Sequence, residues 1–404
     1  MKSSSIDKAA LQFHKKYQGK LITSSVRPIK TKQDLSLVYT PGVGAVSKLI
    51  AEHPSNSFKY TMRGRTIAVV SDGSAVLGLG NIGPEAALPV MEGKSLLMRE
   101  FAGVDSVPLV INTQDASEII KFVSLIAPTF AGINLEDISA PRCFQIEEAL
   151  QDIGIPVFHD DQHGTAVVVT AALKNAAKVV GKKYENLHVV IVGAGAAGLA
   201  TAKMLLGLQC RSDRCEIIPG GARVKDVIVV DKKGAILPGR DNLNIYKQAV
   251  ASLSNIHRKS GSLLQVIEGP DVIIGVSGPG SIKPEMIKRM APNAIVFAMA
   301  NPIPEIMPED AKAAGAAVVA TGRSDLPNQI NNALAFPGIF RAVIKGRLKT
   351  ITPQMKQAAS DTIARMIKKP TAQSIIPGPF TPKLAETVAK AVLKYAKAED
   401  KIIV

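Results

Sequence analysis

Two acidic doublets are the residues of this sequence best suited to chemistry. Glu136 and Asp137 lie in INLEDIS, and Asp160 and Asp161 lie in FHDDQHGTA, each soon after an apolar segment typical of a strand. Carboxylates gathered at strand ends repel one another unless a cation joins them, and carboxylates without thiolates select Mg2+ or Mn2+. The apolar flanks argue against the alternative that both doublets are solvated surface.

Two histidines, His159 and His163, flank the second doublet. They make a zinc site conceivable, because imidazole suits Zn2+. Histidines in such a place more often form hydrogen bonds with their neighbours. The sequence therefore favours a hard divalent ion and keeps zinc as the alternative.

One cation, Lys94, lies in a largely apolar helix that begins at Pro84. Its amine could simply extend to solvent. If it is enclosed instead, desolvation is expected to lower its pKa toward neutrality, which would suit it to remove a proton from an alcohol. Tyr39, in LVYTPGVG, precedes a Pro-Gly turn and is expected at a strand end. By itself it is an ordinary half-buried tyrosine.

A glycine-rich turn in the second half of the chain indicates a dinucleotide site. It follows the strand LHVVIV, opens a helix, and is followed later by a strand that ends in Asp231. Glycines allow backbone amides to approach a pyrophosphate at a helix N-terminus, and the acid accepts hydrogen bonds from ribose hydroxyls. The residues of this turn are Gly193, Gly195, Ala196 and Gly198.

The spacing to the acid departs from the usual pattern. Asp231 lies 33 residues beyond Gly198 (231 minus 198), whereas about 20 is usual. The excess lies in residues 210–223, which are interpreted as a surface insertion. Lys232 and Lys233 follow the acid and could neutralise a 2′-phosphate that the acid would repel, so the sequence leaves NAD and NADP open.

A second strict match to the same glycine pattern occurs in the first half, at Gly78, Gly80 and Gly83, and a looser cluster follows near residue 275. One such match alone is weak. Tight turns and a cofactor contact are comparable explanations for the first-half glycines.

The elements around these residues predict an α/β protein. Residues 66–73 are a buried strand running into a turn, and from about residue 161 apolar strands alternate with helices, which indicates a Rossmann-type doubly wound parallel sheet. Residues 353–398 are predicted helical with a break at 376–380. We predict two domains, an N-terminal catalytic and metal-binding domain (1–160) and a nucleotide-binding domain with C-terminal helices (161–404).

Composition narrows the class of protein. The net charge of +15 favours anionic partners, but aromatic residues are only 4%, with no tryptophan, which disfavours a single-strand nucleic-acid binder. No apolar stretch is long enough to cross a bilayer, and the polar start lacks a signal peptide. The three cysteines are expected to be reduced in the cytoplasm, with a metal shared by Cys210 and Cys215 as a remote alternative.

Taken together, the motifs resemble the malic enzyme family. The matching segments are YTPGVG, SDGSAVLGLGNIGP, MEGK, INLEDI, FHDDQHGTA, VGAGAAG, ANPIPE and Asn331-Asn332 followed by FPG, in family order from about residue 35 to 340. The length and the histidine-containing motif resemble the compact bacterial type. The resemblance implies oxidation and decarboxylation of malate to pyruvate with NAD or NADP and Mg2+ or Mn2+, in a homodimer whose N-terminal segments can complete a neighbour's site.

The resemblance also implies roles for individual residues. Lys94 matches the general base, Tyr39 the general acid, and Asp160 a residue that either tunes Lys94 or supports the metal ligands from behind. Ala75 stands where larger members have an arginine that binds substrate, which leaves the grip on the C1 carboxylate open. The metal ligands are implied to be Glu136, Asp137 and Asp161, with Asn301 and Asn331 at the substrate or nicotinamide, and Gly78 and Gly80 at the border of the site.

Two other functions stay open at this point. An amino-acid or other small-carboxylate dehydrogenase would also place a catalytic domain before a Rossmann domain, but it would need no acidic metal site. A basic protein that binds nucleic acid is supported by net charge alone. Small-molecule substrates, with no nucleic acid and no membrane, are therefore the predicted partners.

Overall fold

The computed structural model describes residues 5–76, 78–211, 214–399 and 401–402. It confirms the predicted α/β class. The strands, in chain order, are β1 (Thr66–Ser71), β2 (Asp105–Val110), β3 (Gly132–Leu135), β4 (Val157–His159), β5 (His188–Val192), β6 (Leu208–Arg211), β7 (Arg214–Ile217), β8 (Asp226–Asp231), β9 (Gly234–Ala235), β10 (Val272–Gly275), β11 (Ala294–Ala298) and β12 (Ala316–Thr321).

Two parallel sheets carry the candidate site. The first has the order β2-β1-β3-β4, and the second has the order β12-β11-β10-β5-β8-β9, in which only β9 runs antiparallel to its neighbour. In the second sheet, β8 is added on one side of β5, and β10, β11 and β12 are then added on the other side, as in dinucleotide-binding sheets. Ligands bind such sheets at the carboxyl ends of the strands, beside the strand where this change of side occurs.

Helices cover both sheets, and among the described residues no helix is long and apolar enough to span a membrane. The helices are α1 (Ser5–Tyr17), α2 (Lys32–Val38), α3 (Val43–Glu52), α4 (Ser57–Tyr60), α5 (Pro84–Ala102), α6 (Ala116–Ile126), α7 (Arg142–Ala149), α8 (Asp160–Val179), α9 (Ala196–Leu205), α10 (Ile245–Ser252), α11 (Leu263–Val266), α12 (Pro284–Ile287), α13 (Pro308–Ala313), α14 (Phe336–Gly346), α15 (Pro353–Arg365) and α16 (Leu384–Ala398).

Helix α8 joins the two halves. It is largely buried, and its side chains belong to a hydrophobic core shared by both sheets. The apolar periodicity predicts a start near residue 165, but the helix begins five residues earlier, at Asp160. The second acidic doublet therefore forms its first turn, where the exposed backbone N–H groups stabilise negative charge.

The C-terminal helices pack back onto the first half of the chain. Phe340 of α14 meets Phe158 of β4 edge to face with 5.7 Å between ring centroids, and Arg341 donates to the carbonyl of Ala102 at the end of α5. Val343 lies against Gly132, where an added Cβ would be 3.2 Å from it. The core of the first sheet is thus completed by residues about 200 positions later in the chain.

The N-terminal segment behaves differently. None of α1 to α4 has a buried residue, and apolar side chains along it are open to solvent, among them Ile22 (92% exposed) and Val26 (89%). Lys20 attaches the segment to the body through Glu92 and the carbonyl of Pro89. An apolar surface of this kind is typical of a protein interface.

The described part of residues 210–223, where the sequence predicted a surface insertion, contains the end of β6 and all of β7, and residues 212 and 213 lie outside the described residues. β6 and β7 form an antiparallel hairpin in which Cys210 faces Cys215 and forms a disulfide with it. The expectation of three reduced cysteines is therefore wrong for this pair, since the hairpin register, invisible in the sequence, brings them together; Cys143 is free and buried. Reducing compartments oppose disulfides, and the cytoplasmic location stays a prediction.

Candidate active site

The two acidic doublets meet at the carboxyl ends of β3 and β4, as predicted. Oxygen atoms of Glu136, Asp137 and Asp161, here called the acidic triad, all lie within 4.8 Å of one another. The backbone N–H of Asp137 donates to Asp161 Oδ2 at 2.8 Å, and Asn134 Nδ2 donates to Glu136 Oε2 at 2.8 Å. Parallel strands place their ends at one edge of the sheet, and so residues 24 apart in sequence become neighbours.

Lys94 is enclosed and lies between two carboxylates. Its Nζ is 2.5 Å from Asp160 Oδ2 and 2.9 Å from Glu136 Oε1. The ring of Phe336, the first residue of α14, covers the amine with its centroid 4.6 Å from Nζ. The alternative that Lys94 extends to solvent is therefore wrong, and helix α5 delivers the amine to the acidic triad.

The pKa of Lys94 moves in the opposite direction to the one predicted. Burial alone lowers it, but attraction to Asp160, Glu136 and Asp161 outweighs burial and raises the pKa above its usual value. The sequence argument considered desolvation without knowing that two carboxylates would contact the amine. Lys94 can therefore lose its proton near neutral pH only if a second positive charge offsets these carboxylates.

The buried carboxylates of the site repel one another. Burial raises the pKa of Glu136 and of Asp160 above their usual values, and their acidic neighbours add to the rise, although Lys94 opposes it. One ammonium cannot balance four clustered carboxylates. The donor set, all oxygen and no thiolate, fits Mg2+ or Mn2+.

The two histidines contact carboxylates around the site and are not part of the acidic triad. His163 forms a 2.7 Å hydrogen bond through Nε2 with Glu147, while His159 is fully buried with Nε2 3.7 Å from Asp161 Oδ2. Among the described residues, the group with metal-ligand geometry contains no histidine. The geometry therefore favours the hard-ion interpretation over zinc.

The turn after β1 borders the acidic triad. Ala75 donates its backbone N–H to the carbonyl of Asp137 at 2.9 Å. Buried Asp72 holds the turn by accepting from Ser74 and from Arg142 at 3.2 Å. Ala75, which the resemblance matched to a substrate-binding arginine of larger family members, thus lies beside the triad and is exposed.

The glycines of the first half shape the contact with the second half. Gly78 has φ +74°, and a Cβ built on it would lie 2.1 Å from the carbonyl oxygen of Asn301. Gly80 also has a positive φ, but nothing lies within 4 Å of its Cβ position. A packing role for Gly78 is therefore evident, and a cofactor contact for Gly78 and Gly80 stays a prediction.

Asn332, which follows Asn331 in the chain, lies close to the first turns of α8. Asn332 lies 3.1 Å from the Cβ position of Gly164, and Gly164 lies directly over the carboxylate of Asp160, where a Cβ would be only 1.8 Å away. Asn331 uses its Oδ1 to accept from Ala333 N at 2.8 Å. Contact of Asn301 and Asn331 with substrate or nicotinamide stays a prediction.

The dinucleotide turn has the geometry expected of it. A side chain on Gly193 would strike the carbonyl of Val276, and one on Gly198 would strike the carbonyl of Gly193, whereas the Cβ position of Gly195 faces open space. Helix α9 starts at Ala196 with no side-chain cap, so its backbone N–H groups are available to a pyrophosphate.

Asp231 ends β8 as predicted, but it is already engaged. Arg240 donates to both carboxylate oxygens, at 2.9 and 2.6 Å, while Lys247 Nζ and the backbone N–H of Lys233 also donate to them. Burial alone would raise the pKa of Asp231, yet these hydrogen bonds lower it below its usual value. Sequence reasoning missed Arg240 and Lys247, because their approach depends on how α10 and its preceding loop fold back.

Tyr39 lies outside this cluster. It follows helix α2 rather than a strand, and its side chain is 66% exposed on the N-terminal segment. The predicted strand end is therefore wrong, since residues 32–38 form a helix that is capped by Thr31 and Asp34. Within one chain, the structure unites Lys94, Asp160 and the acidic triad without Tyr39.

The chain matches sequence models of a known family in both of its halves. The sequence models described as "Malic enzyme, N-terminal domain" and "Malic enzyme, NAD binding domain" match residues 18–151 and 162–397. The chain is 51% identical to the bifunctional malic/malolactic enzyme of Bacillus subtilis, over 97% of this chain and 93% of that protein. It is 52% identical to the NAD-dependent malic enzyme of Geobacillus stearothermophilus, over 94% and 77%.

A solved structure resembles the whole chain. The malic enzyme from Pyrococcus horikoshii superposes with a TM-score of 0.91 at 45% identity, covering 98% of this chain and 92% of that one. Curated relatives include proteins named NAD-dependent and NADP-dependent. Both halves match in sequence and the full length matches in structure, so the chain belongs to the malic enzyme family.

Proposed function

We propose that this chain oxidises malate and removes its distal carboxyl group, giving pyruvate, CO2 and reduced NAD or NADP with the help of Mg2+ or Mn2+. The observation that carries the proposal is the contact of Lys94 with the carboxylates at the ends of β3 and β4. An amino-acid dehydrogenase has no use for such an acidic triad. Nucleic-acid binding has support only from net charge.

The residues divide the work as follows. Glu136, Asp137 and Asp161 would hold the ion, which when bound polarises the C2 oxygen and stabilises the charge that develops on it. An ion held by the triad would offset the attraction of Glu136 and Asp161 for Lys94, which leaves Asp160 as the main attraction against burial, and the pKa of Lys94 would fall from its raised value. Neutral Lys94 takes the hydroxyl proton from malate as hydride passes to the nicotinamide.

The later steps need a proton donor. After oxidation, Lys94 returns its proton to the C2 oxygen as the C4 carboxyl leaves as CO2, which gives the enol. In our proposal Tyr39 then donates a proton to C3 while Lys94 takes the enol proton back, so that C2 becomes the ketone of pyruvate, and this proton finally restores Tyr39. Asp160 keeps the amine of Lys94 directed at the reacting centre through its 2.5 Å hydrogen bond.

The deciding experiment is a spectrophotometric assay. Malate and Mn2+ are supplied with NAD or NADP in separate reactions, reduced cofactor is followed by absorbance, and pyruvate is quantified as product. We expect one pyruvate for each reduced cofactor. Inactivity with both cofactors would overturn the proposal, and turnover of amino acids instead would favour the dehydrogenase alternative.

The cofactor preference is proposed from the surroundings of Asp231. Its carboxylate already accepts from Arg240, Lys247 and Lys233, and so few lone pairs remain for ribose hydroxyls. Two cations, Arg240 and Lys247, contact this carboxylate, and Lys232 and Lys233 follow it directly in the sequence. Such a site attracts a 2′-phosphate, and we propose that NADP is used well.

Replacing Lys247 with methionine tests this preference. The change keeps the length of the side chain but removes its charge, and we expect kcat/KM to fall by about 10-fold for NADP, in line with one charge-assisted contact, and to change little for NAD. Lys390→Met, on an exposed lysine of α16, is the matched control. An equal loss with both cofactors would contradict the assignment.

We further propose a homodimer in which Tyr39 serves the partner's site. Tyr39 is exposed on a segment with no buried residue and many exposed apolar ones, which a second copy can cover. The alternative is that the segment folds over its own Lys94. Both arrangements are compatible with Tyr39 as an acid, so they need a test that separates them.

Mixing two inactive variants provides that test. Tyr39→Phe and Lys94→Ala chains are dissociated and reassembled together. If Tyr39 acts across the dimer, each mixed dimer has one intact site, and activity is expected to return to about a quarter of the wild-type value. No recovery, with mixed dimers demonstrated by affinity tags, would contradict the exchange.

A further inference from the structure

A cavity lies beside the first turn of α8 and is lined there by Gln162 and His163. Its volume is about 1030 Å³, and it is bounded by α7, α8, α9, the β6–β7 hairpin with the loop after it, and the start of α15. None of the residues assigned above to catalysis, metal or cofactor lines it. We call it the α8 cavity.

Cations with unused donors face this cavity. Lys203 donates no hydrogen bond among the described residues, and Lys356 has one partner, His163 Nδ1 at 3.1 Å. Burial lowers the pKa of Lys203 and brings that of Lys356 to about 8. Other cations line the cavity too: Arg211, Lys349 and Lys401.

The acids of the cavity balance only part of this charge: Glu147 attracts both Lys203 and Lys356, and Glu148 also attracts Lys203, but among the described residues four carboxylates line the cavity with five lysine and arginine side chains. Glu147 accepts from His163 at 2.7 Å and from Gln162 at 2.9 Å, and Asp361 is paired with Lys174. Asp152 is exposed. Glu148, which is half-buried, also lines the cavity. Desolvated ammonium groups with free N–H donors are best satisfied by an anion.

The remaining walls suit an organic body. Apolar and aromatic side chains stand beside the cations, among them Phe144, Tyr246 and Ile218. A pocket that combines such walls with a few convergent charges is typical of a site for a small molecule. The hairpin, which has no part in the proposed reaction, supplies one wall through Cys210 and Arg211.

A short path connects the cavity to the acidic triad. Lys356 contacts His163, His163 contacts Glu147, and Glu147 accepts the backbone N–H of His159 at 3.2 Å. His159 lies 3.7 Å from Asp161 through its ring. Asp160 and Asp161 thus point to one site while Gln162 and His163, in the same turn, point to the other.

We propose that the α8 cavity binds a small organic anion with carboxylate or phosphate groups, and that this ligand regulates the enzyme through the first turn of α8. The ligand would meet Lys203 and Lys356 with its charge and the aromatic walls with its body. Its binding would shift the Lys356–His163–Glu147 chain and with it Asp161. Couplings of this kind typically change affinity at the other site by about 5- to 150-fold.

Calorimetric titration tests the binding. Inorganic pyrophosphate and tricarballylate serve as the phosphate and carboxylate probes, with metal-free enzyme saturated with NADP so that the dinucleotide turn is filled. We expect one probe or both to bind one site per chain, and the active probe identifies the charge class. Binding of neither probe would overturn the proposal, whether or not the enzyme oxidises malate.

Variants locate the site. Lys203→Met and Lys356→Met are expected to weaken probe binding at least about 10-fold, the loss typical of a charge-assisted contact, while Lys203→Arg retains binding. Lys390→Met, far from the cavity on an exposed face, is the matched control. Arg211→Ala serves in addition if a lysine variant fails to fold. Binding unchanged in all cavity variants would overturn the assignment.

The coupling has its own readout. With the probe that binds present at saturation and constant ionic strength, and with free Mn2+ corrected for the Mn2+ held by the probe itself, the Mn2+ dissociation constant measured by electron paramagnetic resonance is expected to change at least about 5-fold in the wild type and not in Lys203→Met. A constant Mn2+ affinity at saturating probe would overturn the regulatory part of the proposal.

Discussion

Replacing Lys94 with alanine is expected to lower the rate of hydride transfer by about 10²- to 10⁴-fold, the range typical of a lost general base. The amine is enclosed by Asp160, Glu136 and the ring of Phe336, and so water is poorly placed to substitute for it. The measurement is a single-turnover reaction with malate, saturating Mn2+ and NADP, followed by absorbance.

A second substitution separates the chemical role from the structural one. Lys94→Arg keeps a cation beside the two carboxylates, but a guanidinium does not lose its proton in proteins. It should therefore fold like the wild type and still lack hydride transfer. Near-normal malate oxidation by Lys94→Arg would contradict the base assignment, and Lys121→Ala, on the exposed face of α6, controls for loss of a lysine.

The alanine variant should also be less stable. Removing one partner of a buried ion pair typically costs about 3–5 kcal/mol, because a charge remains buried without compensation. Here both Glu136 and Asp160 would lose their ammonium.

The second large effect is expected for the acidic triad. Asp137→Asn should raise the Mn2+ concentration required for half-maximal activity by at least about 100-fold, since even residues that only orient metal ligands cost 10- to 100-fold when changed. Asp137 shares the ion with Glu136 and Asp161, whose oxygens lie within 4.8 Å. Activity is titrated with Mn2+ at fixed malate and NADP.

Thermal unfolding checks the same assignment without activity. An ion bound by the native state alone raises Tm in proportion to its affinity, so Mn2+ should stabilise the wild type and hardly affect Asp137→Asn. Asp310→Asn, on an exposed helix turn, is the matched control. If Mn2+ raised both Tm values equally, the triad would not be the metal site.

Much of the site could be predicted because strand ends and glycine turns leave local signals. Asp161 was placed correctly since a buried strand followed by an acid marks the edge of a sheet, and Gly193 was recognised from a strand and a helix on either side. These inferences need only neighbours in sequence.

The misjudged features depend on distant residues. The pKa of Lys94 is decided by Glu136 and Asp160, which lie 42 and 66 residues away (136 or 160 minus 94). The carboxylate of Asp231 is occupied by Arg240 and Lys247, which no periodicity reveals. The pKa of a buried group depends on which charged side chains lie near it in the folded chain, and the sequence alone does not give those distances.

The packing of α14 against the first sheet has a consequence for synthesis of the chain. During translation, the first half emerges long before Phe340, Arg341 and Val343, which cover Phe158, the end of α5 and Gly132. Domains normally fold as units as they leave the ribosome. Here the core of the first sheet stays partly exposed until α14 has been synthesised. The nascent N-terminal half is therefore expected to depend on chaperones until its last helices arrive.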